Sequence, residues 1–411
     1  MRIGYLVPEF PSQTHNFFWR ELAALRKEGV EADLISTRRP PPSMVSPAWT
    51  SEAERKTLYL KDELLASVPL VLRELLRVGP AGLVRCTRAI WLSSDSSRYR
   101  LCGLALVGAK LSAVARRRGW KHVHVHSCGD AANVASFAAM LSGLHYSITL
   151  HGALADYGGN QCQKWKFAQF AIVITRKLRA EVQTALSGFL PRRIDIAPMG
   201  VDLDTFHRTG HYRPWASHDT LAIFTCGRLN RTKGHADLIT AIAILRRHGI
   251  DAELTIAGEE DAVSSGYRRE LQVWIEELKL GSSVHLLGAV PEYQVVLSLE
   301  GAHIFALLSF AEPLGVAIME AMAMEVPVVA TRAGGVSELI DDQIDGLLVE
   351  PHNPEKAAEA IERLARDGGL ATQIGARGRQ KIAKEFHSSR SAEVLTAALL
   401  SSDKMTPEVR S

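Results

Sequence analysis

SFAEPLGVAIMEAMAMEVPVVATRAGGVSEL, residues 309–339, is the stretch whose reading decides the fold. It follows an apolar run, His303–Leu308, that reads as a strand. A turn holding Glu312, Pro313 and Gly315 comes next, then a helix over roughly Val316–Met324. The apolar strand Val326–Ala330 leads into a second turn, Ala333-Gly334-Gly335, which opens another helix. Glycine lets the backbone approach a ligand closely, and a helix N-terminus offers unpaired N–H groups. Two strand–turn–helix units of this kind in succession predict an anion-binding crevice at the edge of a parallel sheet. Glu312 falls in the turn and Glu320 inside the helix. A carboxylate near a helix start is favoured by the helix dipole, which would account for Glu312 alone. Glu320 is too far along the helix for capping and is either solvated or aimed, with Glu312, at ligand hydroxyls.

The chain has 411 residues, enough for two domains with a core each. Its composition, 46% hydrophobic and 23% charged, is that of a globular protein. A net charge of +3 gives no reason to expect a nucleic-acid partner. Five cysteines, Cys86, Cys102, Cys128, Cys162 and Cys226, are scattered without a CxxC pair. That spacing favours a reducing compartment over a disulfide framework or a structural zinc site. Met1-Arg2 runs directly into the apolar strand Ile3–Val7, so no leader is expected, and no apolar run reaches the roughly 18 residues of a spanning helix. The expected location is cytoplasmic, with peripheral contact to the inner face of the plasma membrane open.

That membrane expectation comes from residues 64–121. Eleven Lys and Arg residues there face only Glu74 and Asp95, a local net of +9. Leucines, valines and Trp91 are interleaved at helical spacing. Basic helices with apolar faces suit an anionic bilayer surface. Ordinary amphipathic helices packed on a sheet, with a solvated basic face, would give the same pattern.

The remaining chain alternates between strand and helix. After the first strand, the loop PEFPSQTHN offers Ser12, Gln13 and Thr14 ahead of a helix over Phe17–Lys27. Such a corner faces ligand in a doubly wound domain. Glu31–Ser36 reads as a second strand. His122, His124 and His126 alternate along another, so they share one face. A metal cluster is one reading of that face. The other places only His126, at the strand end, near ligand. Tyr146–Leu150 is a strand ending in His151-Gly152. In the second half Leu221–Cys226 leads into Gly227-Arg228-Leu229-Asn230-Arg231-Thr232-Lys233-Gly234. A strand, a glycine turn and two cations five residues apart can bring Arg228 and Lys233 onto a diphosphate at a helix N-terminus. Arg231 is a weaker candidate. Strands over Glu253–Ala257 and Val284–Leu287 end at Gly258 and at Gly288-Ala289-Val290. Asp202-Leu203-Asp204 has the letters of a DxD metal site, but it lies between Gly200-Val201 and Phe206 and reads as hinge structure.

E-P-L-G-V-A-I-M-E-A-M-A, P-V-V-A-T and G-G-V-S-E-L, with G-R-L-x-x-x-K-G from Gly227, closely resemble the donor-site signature of the family 4 retaining glycosyltransferases. Met199–Phe206 is similar to that family's N-G-V-D-x-x-x-F hinge, with Met in place of Asn. The opening F-P-S-Q-T-H-N-F-F-W-R-E-L is similar to the branch that makes exopolysaccharides of the colanic-acid type, and it lacks the Gly-Gly pair of many relatives. The resemblance is strong over the second half. In the first half it rests on the opening loop, His151-Gly152 and the hinge.

The resemblance implies an α/β, GT-B fold: two Rossmann-like, doubly wound domains facing across a cleft. The expected division is 1–206 for the acceptor side and 207–386 for the nucleotide-sugar side. Residues 387–411 would form a helix crossing back to the first domain. The implied reaction moves a sugar from a nucleotide diphosphate, UDP favoured, to an acceptor hydroxyl with retained configuration. The acceptor would be a glycan or lipid-linked glycan of exopolysaccharide or surface-polysaccharide synthesis. No cofactor and no metal are implied. Arg228 and Lys233 would take the diphosphate, and Glu312 the sugar hydroxyls. Backbone N–H groups over Leu314, Gly315 and Val316 would assist, and Glu320 would bind the ribose. His151 would touch the sugar near its reacting carbon. The turns at Gly227, Gly258, Gly288 and Val290 would line the donor. Ser12, Gln13, Thr14 and His126 would meet phosphate or acceptor. A nucleotide-sugar epimerase on the same fold and a non-catalytic GT-B subunit are the rival readings. The second is disfavoured by the presence of the whole charged set.

Overall fold

The computed structural model describes residues 1–11, 16–40, 50–63, 66–93, 96–260 and 264–404. The chain divides into two compact units. One is Met1–Pro198 with the C-terminal helix Ser389–Lys404, and the other is Met199–Ser388.

The first unit holds β1 (Arg2–Glu9), β2 (Glu31–Arg38), β3 (Leu58–Tyr59), β4 (His122–Val125), β5 (His145–Leu150), β6 (Ala171–Val173) and β7 (Ile194–Ile196). They form one parallel sheet in the order β3-β2-β1-β4-β5-β6-β7. The second unit holds β8 (Leu221–Cys226), β9 (Ala252–Ala257), β10 (Val284–Gly288), β11 (Ile304–Leu307), β12 (Val328–Thr331) and β13 (Leu347–Val349). Their order is β10-β9-β8-β11-β12-β13, again all parallel. A parallel sheet is covered by helices on both faces, which is why β1 buries Ile3, Tyr5, Leu6 and Val7 on both sides. Each order reverses once, between β1 and β4 and between β8 and β11. Ligands of doubly wound sheets bind beyond the strand C-termini at that reversal.

Residues 64–121 fold mostly into two long helices, Val68–Leu92 and Arg98–Arg118. The first kinks at Gly79, where φ is +69°, because Pro80 cannot continue the hydrogen-bond ladder. Gly82 and Gly108 let these helices settle against Asp130–Ser142. A Cβ on Gly82 would meet the Leu141 carbonyl oxygen at 2.8 Å, and one on Gly108 the Val134 oxygen at 2.9 Å. The C-terminal helix packs on Asn16–Lys27, burying Ala392, Leu395, Ala398 and Leu399 with Phe18, Leu22 and Leu25.

The break between the units falls at Pro198, ahead of the polar segment 207–219 where composition suggests it. The hinge string pairs within the second unit: Val201 N donates to Phe386 O at 2.8 Å, and Ser388 N to Val201 O at 2.9 Å. The polar segment is tied to the same unit. The Arg208 guanidinium donates to the carbonyls of Leu299, Glu300 and Met324, closing the ends of two helices. The Asp202 carboxylate accepts from Asp204 N and Thr205 Oγ1, each at 3.0 Å, so it serves a turn.

Candidate functional site

In the second unit the ends of β8, β9 and β10 lie against one another glycine to glycine. Gly227 N donates to Ala257 O at 2.9 Å, and Gly258 N to Gly288 O at 2.8 Å. A Cβ on Gly258, whose φ is +146°, would fall 1.8 Å from the Gly227 oxygen. No other residue fits there. Past Gly227, Arg228 is exposed, and a short 3-10 turn, Arg231–Lys233, ends at Gly234 with φ +68°. A Cβ on Gly234 would meet the Leu308 oxygen at 1.9 Å, so this turn is pressed onto the end of β11. Phe310 N donates to Thr232 O at 2.7 Å, which fixes the contact.

That contact sets Lys233 against Glu312. Lys233 Nζ lies 2.5 Å from Glu312 Oε2, and Ser309 Oγ donates to the same oxygen at 3.0 Å. The Glu312 side chain is 8% exposed and that of Lys233 17%, so the pair is poorly screened by water. The backbone of Glu312 is held by the second glycine turn, where Gly335 N donates to Glu312 O at 2.9 Å. Gly315, with φ +98°, opens the helix Val316–Ala323, whose N-cap glycine has no side chain to bond the first N–H groups. Those groups, beside buried Leu314, have no side-chain cap, an arrangement that suits an anion.

Glu320 is half-buried in that helix. It shares surroundings with Cys226 and Lys233. Burial pushes the Cys226 thiol up to about 12, the Glu320 charge adds to the rise, and Lys233 opposes it. Glu312, Glu320 and Lys233 therefore lie around one strand end. Arg231 is engaged elsewhere, in an ion pair with Glu270 and over the Tyr267 ring. Gly288, with φ +76°, and half-buried Val290 follow the end of β10.

In the first unit the corresponding strand ends carry His126 and His151. The face of β4 that displays three histidines is a hydrogen-bonded row. Ser147 Oγ lies 2.7 Å from His122 Nε2 and 2.8 Å from His124 Nδ1, and Thr149 Oγ1 lies 2.8 Å from His124 Nε2. Burial holds the His122 imidazole down at about 3 and His124 well below the usual range. Both are packing groups bonded to hydroxyls. Among the described residues no group of three or more His, Cys, Asp or Glu is arranged to hold a metal ion.

His126 differs from its neighbours. Its Nδ1 lies 3.1 Å from His151 Nε2, and its Nε2 lies 3.0 Å from Oε2 of Glu21. Tyr5 Oη donates to that same carboxylate oxygen at 2.5 Å. Burial pushes the Glu21 carboxyl up. The neighbouring His126 foremost, with hydrogen bonds from Ser391 and Tyr5, outweighs it and holds the group at about 2. Phe17 and Phe18 pack their rings against His151. Sequence reasoning misses Glu21. Its signal lies in the helix period: Phe18, Leu22 and Leu25 mark the buried face, and Glu21 sits on it.

The loop after His151 is fastened from beneath. The buried Lys164 ammonium donates to Cys128 O at 2.6 Å and to Tyr157 O at 3.3 Å, and Asn160 Nδ2 donates to Asn133 Oδ1 at 2.8 Å. Ser12, Gln13 and Thr14 lie outside the described residues.

Residues 214–381 match the family model of Glycosyl transferases group 1. A D-inositol 3-phosphate glycosyltransferase of Pseudarthrobacter chlorophenolicus is 36% identical over 191 residues, 44% of this chain. The match likewise spans under half, 44%, of that relative's own length. A putative colanic acid biosynthesis glycosyltransferase, WcaL, of Salmonella typhimurium is 24% identical over 404 residues, covering 94% of this chain and 96% of that one. Among solved structures, sucrose-phosphate synthase from Thermosynechococcus elongatus superposes with a TM-score of 0.74 at 19% identity, over 98% of this chain and 100% of that one. Anabaena Alr3699/HepE in complex with UDP gives 0.73 at 17% identity, over 98% and 100%. Among the described residues no helix is long and apolar enough to cross a membrane. Residues 214–381 thus carry a region similar to the group 1 glycosyltransferases, and the two parallel sheets with the solved-structure likenesses show a two-domain Rossmann-like GT-B fold.

Proposed function

We propose that the protein transfers a sugar from a nucleotide diphosphate, UDP favoured, to an acceptor hydroxyl with retention of anomeric configuration. The observation that carries this reading is the Lys233–Glu312 contact, 2.5 Å, where β8 and β11 end at the sheet reversal. A buried carboxylate paired with a cation beside a bare helix N-terminus combines an acceptor for sugar hydroxyls with donors for phosphate.

In this reading Arg228 and Lys233 stabilise charge as it develops on the leaving diphosphate, together with the N–H groups over Leu314–Val316. Glu312 holds donor-sugar hydroxyls, Glu320 holds the ribose, and His151 contacts the sugar near its reacting carbon. Fixed cations meet the charge demand of such a reaction without a metal ion. A double displacement needs a carboxylate nucleophile on the opposite sugar face, and no residue is assigned to it. Front-side attack, with the leaving phosphate taking the acceptor proton, uses only the groups named.

The likeness to the colanic-acid relative supports a lipid-linked glycan as acceptor, in exopolysaccharide or surface-polysaccharide synthesis. The helix Val68–Leu92 supports work at the inner face of the plasma membrane. It exposes Leu72, Leu76, Val84, Trp91 and Leu92 beside exposed Arg73, Arg77 and Arg88.

A panel of nucleotide sugars, tested by thermal shift and hydrolysis in EDTA, decides the donor. One UDP- or GDP-sugar is expected to stabilise the protein and to be slowly hydrolysed. A released epimer of the donor would support the epimerase reading instead. Stabilisation without turnover, even with acceptor lipid, would support a non-catalytic subunit.

A further inference from the structure

We propose that Glu21 and His126 are positioning residues that set which nitrogen of His151 carries the proton. What this means for catalysis rests on the reading of His151 as the sugar-side histidine; the proton arrangement itself does not.

An ionised carboxylate only accepts hydrogen bonds. Oε2 of Glu21 already takes the Tyr5 hydroxyl at 2.5 Å, and His126 Nε2 stands 3.0 Å away, at ion-pair distance though off the line of a straight hydrogen bond. Electrostatics therefore place a proton on His126 Nε2. With the ring neutral, the condition under which the arrangement is tested below, that proton leaves Nδ1 as the acceptor. The atom 3.1 Å from Nδ1 is His151 Nε2, which must then be the donor. His151 is left as its Nε2–H tautomer, with its buried Nδ1 an acceptor. The surroundings keep this chain in place. Glu21 is 8% exposed and His126 3%, and Tyr5 and Phe18 pack on the His126 ring with centroids 4.3 and 4.8 Å away. The adjoining histidine of the row, His124, is turned to Ser147 and Thr149 and takes no part.

Selective ¹⁵N-histidine labelling tests the arrangement without turnover. Long-range ¹H–¹⁵N correlation near pH 8, where imidazoles are ordinarily neutral, distinguishes the two tautomers. A His151→Gln variant assigns the signals. The parent is expected to show His151 protonated at Nε2. In Glu21→Gln the carboxamide can donate to His126 Nε2, so His126 donates from Nδ1 and His151 switches to the Nδ1–H form. Tyr5→Phe, which keeps the carboxylate, should leave the tautomer unchanged. An Nδ1–H signal in the parent overturns the proposal even if Glu21→Gln does not fold, and so does an unchanged tautomer in a folded Glu21→Gln. In transfer assays Glu21→Gln should lower kcat roughly 10-fold or more, the direction seen when a catalytic histidine is held in the wrong tautomer, with donor KM little changed. A switched tautomer with parental kcat would leave the relay standing and overturn the role given to His151.

Discussion

Lys233 Nζ meets Oε2 of Glu312 at 2.5 Å, and the two belong to the turns that leave adjacent parallel strands, β8 and β11. The contact joins the two most specific strings in the sequence, which stand far apart along the chain. It also makes the roles of the two residues separable. Glu312→Gln keeps the shape and an acceptor for Ser309 but loses the charge that strengthens bonds to sugar hydroxyls. It should lower kcat about 10- to 100-fold, the worth of one or two charge-assisted hydrogen bonds, and leave UDP affinity within about 3-fold. Lys233→Ala removes the cation from the phosphate side and should weaken both UDP binding and turnover, kcat by about 100-fold or more. Calorimetric UDP titration beside steady-state kinetics separates the two. Parental activity in both variants would refute the assignment of the site.

The glycine turns should tolerate no side chain. Gly334 has φ +62°, and a Cβ there would lie 1.9 Å from the Glu312 carbonyl oxygen, so Gly334→Ala displaces the backbone that carries Glu312. Gly234→Ala meets the Leu308 oxygen at the same distance and displaces Lys233. Gly249 also has a positive φ, +81°, but open space around it. Gly249→Ala should cost only the left-handed backbone strain, about 1–2 kcal/mol, and keep its activity. Gly334→Ala and Gly234→Ala should lose hydrolysis and transfer. Measured kcat/KM for the three variants, each checked for folding by circular dichroism, tests the contrast.

The second unit is the more legible in sequence, for a physical reason. Its site is built from turns, where backbone geometry dictates residue type, so the letters Gly234, Gly258, Gly288, Gly315 and Gly334 mark the strand ends by themselves. Glu312 and Glu320 stand out because a carboxylate in such a turn and helix needs a partner. The first unit builds its polar cluster from side chains on β1, β4, the end of β5 and two helices. Tyr5, Glu21, His126 and His151 have no common spacing along the chain. Only the tertiary fold brings Glu21 to His126, and Glu21 alone looks like any helix glutamate. The polar, proline-bearing residues around 207–219 read as a linker, which puts the expected unit boundary too far along the chain. Arg208 and Tyr212 instead bind them to the second unit.

Stability should fall with acid earlier than carboxylate titration alone would give. His122, held at about 3, and His235, held at about 4, chiefly by burial, are neutral in the folded protein. Unfolded, they bind protons below about 6.5. Between those values the unfolded state holds more protons, so stability is present above about pH 6.5 and is lost as pH falls toward 4 and 3. Glu21, depressed to about 2, adds a second loss from about pH 4.5 down to 2. Urea unfolding at pH 7 and pH 5 should show a lower midpoint at pH 5. In His122→Gln the difference should shrink. Equal midpoints at the two pH values would count against neutral burial of these histidines.

The exposed face of Val68–Leu92 makes a separate prediction, because its residues can be changed without touching a core. Leu76 is 85% exposed and Trp91 65%. Substituting Leu76→Glu and Trp91→Glu removes apolar area that the protein leaves largely open to water, so the melting temperature should stay within about 1 °C. Burying a leucine is worth about 1.5–3 kcal/mol, so either change should weaken binding to phosphatidylglycerol vesicles by roughly 10-fold or more. Arg73→Ala and Arg77→Ala should act through charge, each costing about 1 kcal/mol and losing its effect in high salt. Vesicle co-sedimentation at low and high salt distinguishes the two contributions. If the parent does not sediment with anionic vesicles, or the four variants sediment as it does, this face packs against something other than a bilayer.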